Sequence, residues 1–143
     1  MDNELRREMI LDNYQHPYHK EIPNNLDEYI KVNSNNESCI DNIDIYIKIN
    51  NNMIEDVYFD GEACAISTSA TSIMSKLLEG KTIDEIKILI DNYENMIKGL
   101  EYDENILKEA IVYNEIYKQH NRINCAMLPW KGIKKIIEEI SQK

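Results

Sequence analysis

The hydrophobic period of the sequence changes at residues 59–70, and this change constrains the fold more than any other feature. Before the segment, apolar and polar residues alternate, which is the period of a half-buried strand. After it, apolar residues recur three or four positions apart, which is the period of a helix. Gly61 permits a tight turn or a left-handed backbone at the junction. The sequence therefore predicts a strand that ends near Gly61 and a helix that starts close to Cys64.

Three strands are predicted before this junction, over residues 29–32, 43–49 and 53–59. The second is the clearest, because isoleucine occupies every other position in it. The run 33–38 is almost entirely Asn and Ser and predicts a turn, while Asn50–Asn52 predicts a hairpin because asparagine tolerates positive φ. Alternation in the third strand is imperfect, so the pattern leaves its register open. Three consecutive antiparallel strands form a meander.

The rest of the sequence is predicted to be helical, with an apolar stripe in each segment. Thr82 and Glu85 have the spacing of a capping box, and Gly80 and Gly99 mark helix ends. Pro129 is expected in the first turn of the last helix, since a proline deeper inside would remove a backbone hydrogen bond. The predicted helices cover residues 2–14, 66–78, 83–97, 103–117 and 125–140.

Length and charge limit the classes of function that this chain can have. Its 143 residues suit one core, so we expect a single α+β domain over residues 1–143. In it, a three-stranded antiparallel sheet packs against about four to five helices. The 26 acidic and 16 basic side chains give a net charge of −10, which argues against a nucleic-acid partner. No long uncharged apolar run is present, which argues against a membrane span.

The three cysteines are predicted to be reduced thiols. Three cysteines cannot all pair within one chain, and charged residues such as Glu4, Arg6 and Glu8 near the N-terminus do not fit a secretory signal peptide. Disulfides are rare in the cytoplasm. The sequence therefore predicts a cytoplasmic protein with free cysteines.

Four residues could together hold a metal ion: Cys39, Asp41, Cys64 and Cys125. Cys39 and Asp41 are two positions apart beside a predicted strand, where alternate side chains point to the same face. Cys64 and Cys125 are each expected at the start of a helix. Three thiolates and one carboxylate would form a closed tetrahedral site suited to zinc. The spacings match no local zinc-finger pattern, however, and a single cysteine such as Cys64 also fits the role of a small buried core residue.

Several other residues have simpler interpretations. His16 and His19 flank Pro17, which breaks any helix that would align them as ligands, so both are expected in an exposed loop. His120 is expected to be a polar loop residue, and Trp130 a packing residue. A run of small hydroxyl residues lacks a nucleophile elbow and a base, which favours helix capping and packing over hydrolysis. This run is Ser67, Thr68 and Ser69.

Five segments of the sequence carry a family resemblance, and they follow one another in the family's order over nearly the whole chain. The segments are LRREMILDNYQHP at residues 5–17, NNESCID at 35–41, FDGEACAISTSA at 59–70, MIKGLEY at 96–102 and RINCAMLPW at 122–130. By these motifs the chain resembles the NifU/IscU-like family of iron–sulfur cluster assembly proteins. The resemblance implies a compact α+β domain in which the three cysteines and the aspartate converge on one surface site.

Two features resemble the zinc-binding SufU branch of that family. Scaffold-type members have a histidine directly before the third cysteine, whereas this chain has Asn124, and the segment 99–120 resembles an insertion typical of the branch. Arg122 resembles a family arginine near the metal that holds a thiolate or persulfide or pairs with Asp41; an ordinary surface ion pair is the alternative. The zinc ligands that the resemblance implies are Cys39, Asp41, Cys64 and Cys125.

The resemblance also implies a zinc-dependent sulfurtransferase role. A pyridoxal-phosphate-dependent cysteine desulfurase would donate the sulfur, and Cys39 would accept it as a persulfide. An iron–sulfur scaffold or acceptor protein would be the downstream partner. Two alternatives stay open: a scaffold on which iron replaces zinc and a 2Fe–2S cluster is assembled, and a structural zinc site with no sulfur chemistry.

The first cysteine motif departs from the family pattern. The family usually has Pro and Gly around this cysteine, as N-P-x-C-G-D, and Glu37 and Ile40 occupy these places here. Because isoleucine does not adopt positive φ cheaply, we expect the loop geometry to differ. Ala63 replaces a further glycine before Cys64, which is a milder change.

Overall fold

A computed structural model describes residues 1–36 and 40–141 of the chain. The α-helices in these ranges are α1 (Asn3–Gln15), α2 (Ala65–Leu78), α3 (Ile83–Ile97), α4 (Glu104–Leu107) and α5 (His120–Ser141). The strands are β1 (Ile30–Asn35), β2 (Asn42–Asn50) and β3 (Met53–Glu62). The predicted α+β class is therefore confirmed. No helix within the described ranges combines the length and the apolar character needed to cross a membrane.

The strands form one antiparallel sheet in the order β1-β2-β3, which confirms the predicted meander. The hairpin between β2 and β3 turns at Asn51, with φ 53°, and Asn52, with φ 63°. Positive φ at both turn residues is the geometry of a type I′ turn, whose twist matches that of the flanking strands. The two asparagines therefore favour the observed hairpin.

A β-bulge explains the imperfect alternation in β3. The register of β2 against β3 shifts between Lys48 and Ile49, so that Glu55 has no residue opposite it. Beyond such an extra residue, the side chains that point into the core change parity. Ile54 and Val57 are accordingly both fully buried although they are three positions apart.

β1 is longer than predicted, and the turn expected from residue 33 onward is wrong for residues 33–35. Asn33 pairs with Asp44 of β2, and its side-chain amide donates to that carboxylate at 3.0 Å. Ser34 is buried, and its hydroxyl donates to the carbonyl oxygen of Leu128 at 2.6 Å. These tertiary contacts override the local turn preference of Asn and Ser. Residues 37–38 of the predicted turn lie outside the described residues.

The hydrophobic core lies on the face of the sheet that α2 and α5 cover. Ile43, Ile45 and Ile47 alternate along β2 and are essentially fully buried. Trp130 of α5 stacks on Tyr93 of α3, with ring centroids 4.2 Å apart, so its predicted packing role is confirmed. The core therefore fixes the start of α2 and the first turns of α5 relative to the sheet.

The single helix predicted over residues 103–117 is wrong. α4 covers only Glu104–Leu107, and it ends where Lys108 adopts φ 49°. The chain continues in two 3₁₀ helices, Lys108–Tyr113 and Ile116–Lys118. Apart from Val112, the buried residues here recur every three positions, which is the period of a 3₁₀ helix and is hard to distinguish from 3.6 over so short a segment. These residues are Leu107, Ala110, Tyr113 and Ile116.

The last helix begins at His120, earlier than predicted, so Cys125 is not at its start and Pro129 is not in its first turn. Pro129 lies in the helix interior, where it cannot donate a hydrogen bond to the carbonyl oxygen of Cys125. The hydroxyl of Ser67 lies 3.1 Å from that oxygen, within hydrogen-bonding distance. A long-range contact thus helps α5 to accommodate the proline.

The two histidines after α1 have different surroundings. His16 is exposed, as predicted. His19 is half-buried, which corrects the prediction for that residue: its Nδ1 lies 3.0 Å from a carboxylate oxygen of Glu79, and its ring stacks between those of Tyr18 and Tyr58. A backbone bridge ties this loop to β3, and the ring is covered as a result.

Candidate metal centre

Three of the predicted ligands come together at the N-terminal end of α2. One carboxylate oxygen of Asp41, Sγ of Cys64 and Sγ of Cys125 all lie within 4.8 Å of one another. We call these three residues the ligand cluster. Asp41 directly precedes β2, Cys64 precedes α2, and Cys125 lies in the second turn of α5. The sheet and two helices that are distant in sequence therefore each contribute one side chain.

Gly61 sets the position of Cys64. Gly61 has φ +135°, and a Cβ on it would lie 2.2 Å from the carbonyl oxygen of Asn42 on β2. Glycine therefore lets the end of β3 approach β2 this closely before the chain turns toward α2. Cys64 follows as the N-cap of α2, and its sulfur accepts the N–H of Ser67 at 3.4 Å. The strand-to-helix junction predicted from the change of period is confirmed.

Asp41 is buried, with 1% of its surface exposed, and both of its carboxylate oxygens accept hydrogen bonds. Oδ1 accepts the N–H of Cys64 at 2.7 Å, and Oδ2 accepts the hydroxyl of Ser67 at 2.7 Å. Burial alone would raise the pKa of the Asp41 carboxyl, but the hydrogen bonds from Cys64, Ser67 and Cys125 lower it below its usual value. Asp41 is therefore an ionised acceptor at neutral pH.

Cys125 is buried on α5 and faces the other two ligands. Burial, followed by the neighbouring thiol of Cys64 and carboxylate of Asp41, raises the pKa of Cys125 to about 12. Without a nearby positive charge, this thiol therefore keeps its proton at neutral pH. A bound cation would reverse that preference, because thiolate and not thiol is the metal ligand.

The donor set fits zinc. Ligand atoms of a tetrahedral zinc site lie about 3.5 to 3.8 Å apart, given Zn–S and Zn–O bonds of about 2.3 and 2.0 Å. Sγ of Cys64 lies 3.7 Å from Oδ2 of Asp41, in this range. Two sulfur ligands and one carboxylate leave a tetrahedral ion one ligand short, so a fourth ligand is required. Soft thiolates favour zinc or iron over magnesium or calcium.

Of the other predicted site residues, those that the structure describes are not members of the ligand cluster. Cys39 lies outside the described residues. Arg122 and His120 are exposed on the first turn of α5, and Asn124 is exposed directly before Cys125. Among the described residues, Arg122 forms no ion pair, so the suggested pairing with Asp41 is not formed.

Sequence reasoning missed Ser67 as a member of the site. The sequence predicts capping and packing for this residue, but its hydroxyl lies within hydrogen-bonding distance of both Asp41 and the backbone of Cys125. The local signal was its position three residues after Cys64, where a backbone N–H meets an N-cap side chain. Nothing local indicated that Asp41 and Cys125 would both reach its hydroxyl.

A groove of about 580 Å³ opens beside the ligand cluster. Ile40 and Ala63, which directly precede two of the ligands, line it together with Tyr14 and Pro17 from the end of α1 and the loop after it. Ile40 is 70% exposed.

Comparisons with known proteins agree with the resemblance carried by the five sequence segments. The family model described as NifU-like N terminal domain matches residues 5–143. The zinc-dependent sulfurtransferase SufU of Bacillus subtilis is 34% identical over 132 residues, which cover 92% of this chain and 88% of that protein. The iron–sulfur cluster assembly scaffold protein IscU of Thermotoga maritima is 32% identical over 107 residues, which cover 75% of each protein.

The same fold occurs in a solved structure. The crystal structure of FiSufU from Fervidobacterium islandicum AW-1 matches this chain with a TM-score of 0.83 and 30% sequence identity. The match covers 93% of this chain and 97% of that one. Sequence and fold therefore point to the same group of proteins.

Proposed function

The chain belongs to the NifU-like N-terminal domain family of iron–sulfur cluster assembly proteins, and from this premise we propose that it is a zinc-dependent sulfur acceptor of the SufU type. The observation that carries the proposal is the ligand cluster, whose atoms lie within 4.8 Å of one another. The exposed Asn124 before Cys125 supports the zinc assignment, since scaffold-type members have a histidine there. Similarity to a zinc-dependent sulfurtransferase points the same way.

Cys39 is the proposed fourth ligand. It lies two residues before Asp41 in the sequence, and covalent geometry keeps the Cα atoms of such residues within about 7 Å of each other. Together with the ligand cluster it would complete a site of three sulfurs and one oxygen. Zinc bound there would keep the cysteines as thiolates until a competing ligand takes its place.

Cys39 is also the proposed sulfur acceptor. Its thiolate attacks the outer sulfur of a persulfide held by a pyridoxal-phosphate-dependent cysteine desulfurase. One S–S bond forms on Cys39 while the S–S bond of the donor breaks, and the donor cysteine leaves as a thiolate. Because one S–S bond replaces another, the step needs no external oxidant or reductant. The sulfur then passes to a downstream iron–sulfur scaffold or acceptor protein.

Arg122 is the proposed partner of the sulfur anion. It lies about one helical turn before Cys125, is exposed, and has no ion pair among the described residues. A guanidinium in that state can pair with a thiolate or persulfide without first losing a carboxylate partner. The groove beside Ile40 and Ala63, which both polar and apolar side chains line, offers a surface for the desulfurase next to the ligand cluster. The free thiols of Cys64 and Cys125 suit work in the cytoplasm.

A second candidate function is that of a scaffold on which a 2Fe–2S cluster is assembled. Similarity to the IscU protein of Thermotoga maritima favours it, and the thiolates of the ligand cluster could equally bind iron. A third possibility, a structural zinc site without sulfur chemistry, predicts metal binding without any transfer.

One experiment separates these three functions. We expect the protein purified without added metal to be colourless and to contain about one zinc per chain. After one turnover with a desulfurase and cysteine, peptide mass spectrometry should find the extra sulfur on Cys39. Cys39→Ser should abolish stimulation of the desulfurase. A brown, iron-containing protein would support the scaffold instead, and zinc without sulfur transfer would support the structural site.

A further inference from the structure

The hydroxyl of Ser67 lies at the centre of the ligand cluster. Ser67 is the third residue of α2 and is completely buried. Its Oγ lies 2.7 Å from Oδ2 of Asp41, 3.1 Å from the carbonyl oxygen of Cys125 and 3.5 Å from Sγ of Cys64. One side chain therefore contacts all three residues of the cluster, although it is not itself a ligand in the proposed set.

The contact with Cys125 has a cause in the sequence of α5. In a regular helix the carbonyl oxygen of Cys125 would accept the N–H of the residue four positions later. That residue is Pro129, which has no N–H. The carbonyl oxygen is thus open to another donor, and the hydroxyl of Ser67 lies 3.1 Å from it.

The contact with Asp41 is the stronger of the two. A hydroxyl has one proton, so it donates to one acceptor at a time. Asp41 offers a charged oxygen at the shorter distance, and hydrogen bonds to charged acceptors are stronger than those between neutral groups. The other carboxylate oxygen already accepts the N–H of Cys64 at 2.7 Å. Two donors on two different oxygens fix the plane of the carboxylate.

We propose that Ser67 is the positioning residue that holds Asp41 in orientation to bind the metal, with Oδ2 beside Sγ of Cys64. The inference rests on the metal site of the proposed function. When both thiols have lost their protons to a bound metal, loss of the hydroxyl would leave the Cys64 N–H as the remaining described donor to the carboxylate, which could then rotate about its Cβ–Cγ bond. Loss of such an outer hydrogen bond typically lowers metal affinity about 10–100-fold.

A purely structural role for Ser67 makes a different prediction, and Pro129 allows the two roles to be separated. If the only role of Ser67 were to donate to the carbonyl oxygen of Cys125, then Pro129→Ala would make Ser67 unnecessary. Alanine restores a backbone N–H at position 129, and that N–H would donate to the same oxygen. The same substitution cannot replace the contact with Asp41. The informative variants are Ser67→Ala, Pro129→Ala and the two combined.

The test measures zinc affinity by competition with a chromophoric chelator, the cobalt(II) absorption spectrum and the melting temperature. We expect Ser67→Ala to bind zinc about 10–100-fold more weakly and to change the cobalt spectrum. The double variant should regain melting temperature without regaining affinity. In an Asp41→Ala background, Ser67→Ala should cause little further loss of affinity, because the residue acts through Asp41.

Two results would overturn the proposal. One is a Ser67→Ala variant that binds zinc as tightly as the wild type; the other is a double variant whose affinity recovers together with its melting temperature. Should Ser67→Ala alone fail to fold, the double variant still carries the comparison. If the wild-type protein bound no zinc, the proposed function would fail as well. If the wild type and Ser67→Ala bound zinc with equal affinity, only this inference would be overturned.

Discussion

Polar side chains from distant parts of the chain surround a carboxylate at each end of α2, but the partners of the two carboxylates differ. At the C-terminal end, Glu79 accepts hydrogen bonds from the hydroxyl of Tyr18 and the N–H of Val57, and it lies 3.0 Å from Nδ1 of His19. We call these four residues the Glu79 cluster. At the N-terminal end, the ligand cluster holds a buried carboxylate and two thiols, and none of the described ion pairs involves Asp41.

The difference follows from the direction of the helix dipole. A carboxylate at the C-terminal end meets the negative end of the dipole and needs donors from elsewhere. The hydroxyl of Tyr18 and the N–H of Val57 supply them, and the ring of His19 lies beside the carboxylate. At the N-terminal end the dipole favours one anion, but deprotonating two adjacent thiols adds more negative charge than hydrogen bonds can offset. Donors within the chain thus satisfy the Glu79 carboxylate, whereas a cation at the ligand cluster, as the proposed function requires, would stabilise its thiolates.

The largest expected effect comes from removing a sulfur ligand. Cys64→Ala or Cys125→Ala should abolish zinc binding, because carboxylate and hydroxyl groups cannot replace a thiolate. Since metal binding is coupled to folding, chelation of the wild type should lower its melting temperature by about 10 °C. Elemental analysis and thermal unfolding with and without chelator check both statements. If the chelator left the melting temperature unchanged, the metal would not contribute to stability at either end of α2.

Replacing Asp41 should have a smaller effect on the metal. Asp41→Ala removes a harder, weaker ligand, so zinc should still bind through sulfur but more weakly. It also leaves the N–H of Cys64 without its acceptor, which should lower the free energy of unfolding by about 1–3 kcal/mol even in the metal-free protein. Asp44→Ala on β2 is the matched control, and it should leave zinc affinity unchanged. Equal zinc affinity in both variants would remove Asp41 from the ligand set.

The Glu79 cluster should affect stability alone. Glu79→Gln removes a charged acceptor from the hydroxyl of Tyr18, so the free energy of unfolding should fall by about 1–3 kcal/mol. Zinc affinity should not change, because the two clusters lie at opposite ends of α2. Urea unfolding and chelator competition on the same protein measure both. A loss of zinc affinity in this variant would mean that the two ends are coupled.

The smallest effect concerns pH. The hydrogen bond to Glu79, followed by burial, raises the pKa of Tyr18 to about 12. The folded protein therefore holds this proton more tightly than the unfolded chain, where the pKa of tyrosine is about 10. This contribution to stability is fully present below pH ~10 and is lost as the pH rises toward ~12. The free energy of unfolding, measured with urea, should therefore decline less between pH ~10 and ~12 in Tyr18→Phe than in the wild type; an equal decline in both would contradict the assignment.

Features determined by neighbouring residues could be predicted from the sequence. The turn at Asn51 and Asn52 and the capping box of Thr82 and Glu85 both formed as expected. The junction between Gly61 and Cys64 also formed as expected. Each of these depends on backbone preferences within a few positions, and that information is local.

Features that depend on distant contacts could not be predicted in this way. The predicted start of α5 is wrong because a proline is unfavourable in a helix interior, and the prediction therefore places Pro129 in the first turn. The hydroxyl near the carbonyl oxygen that lacks the N–H of residue 129 belongs to Ser67, on another helix. The predicted β1 is too short because the local sequence gives no sign of the hydrogen bond between Ser34 and Leu128. The convergence of Asp41, Cys64 and Cys125 was expected only from the family resemblance, since their spacing in sequence matches no local metal motif.

Zinc K-edge X-ray absorption on the protein purified without added metal tests the central claim most directly. The account predicts a four-coordinate zinc with three sulfur neighbours at about 2.3 Å and one oxygen at about 2.0 Å. The Asp41→Ala variant should lose or replace the oxygen while keeping the sulfur shell. An iron edge with short iron–iron distances in place of zinc, or a zinc ion surrounded only by oxygen and nitrogen, would contradict it.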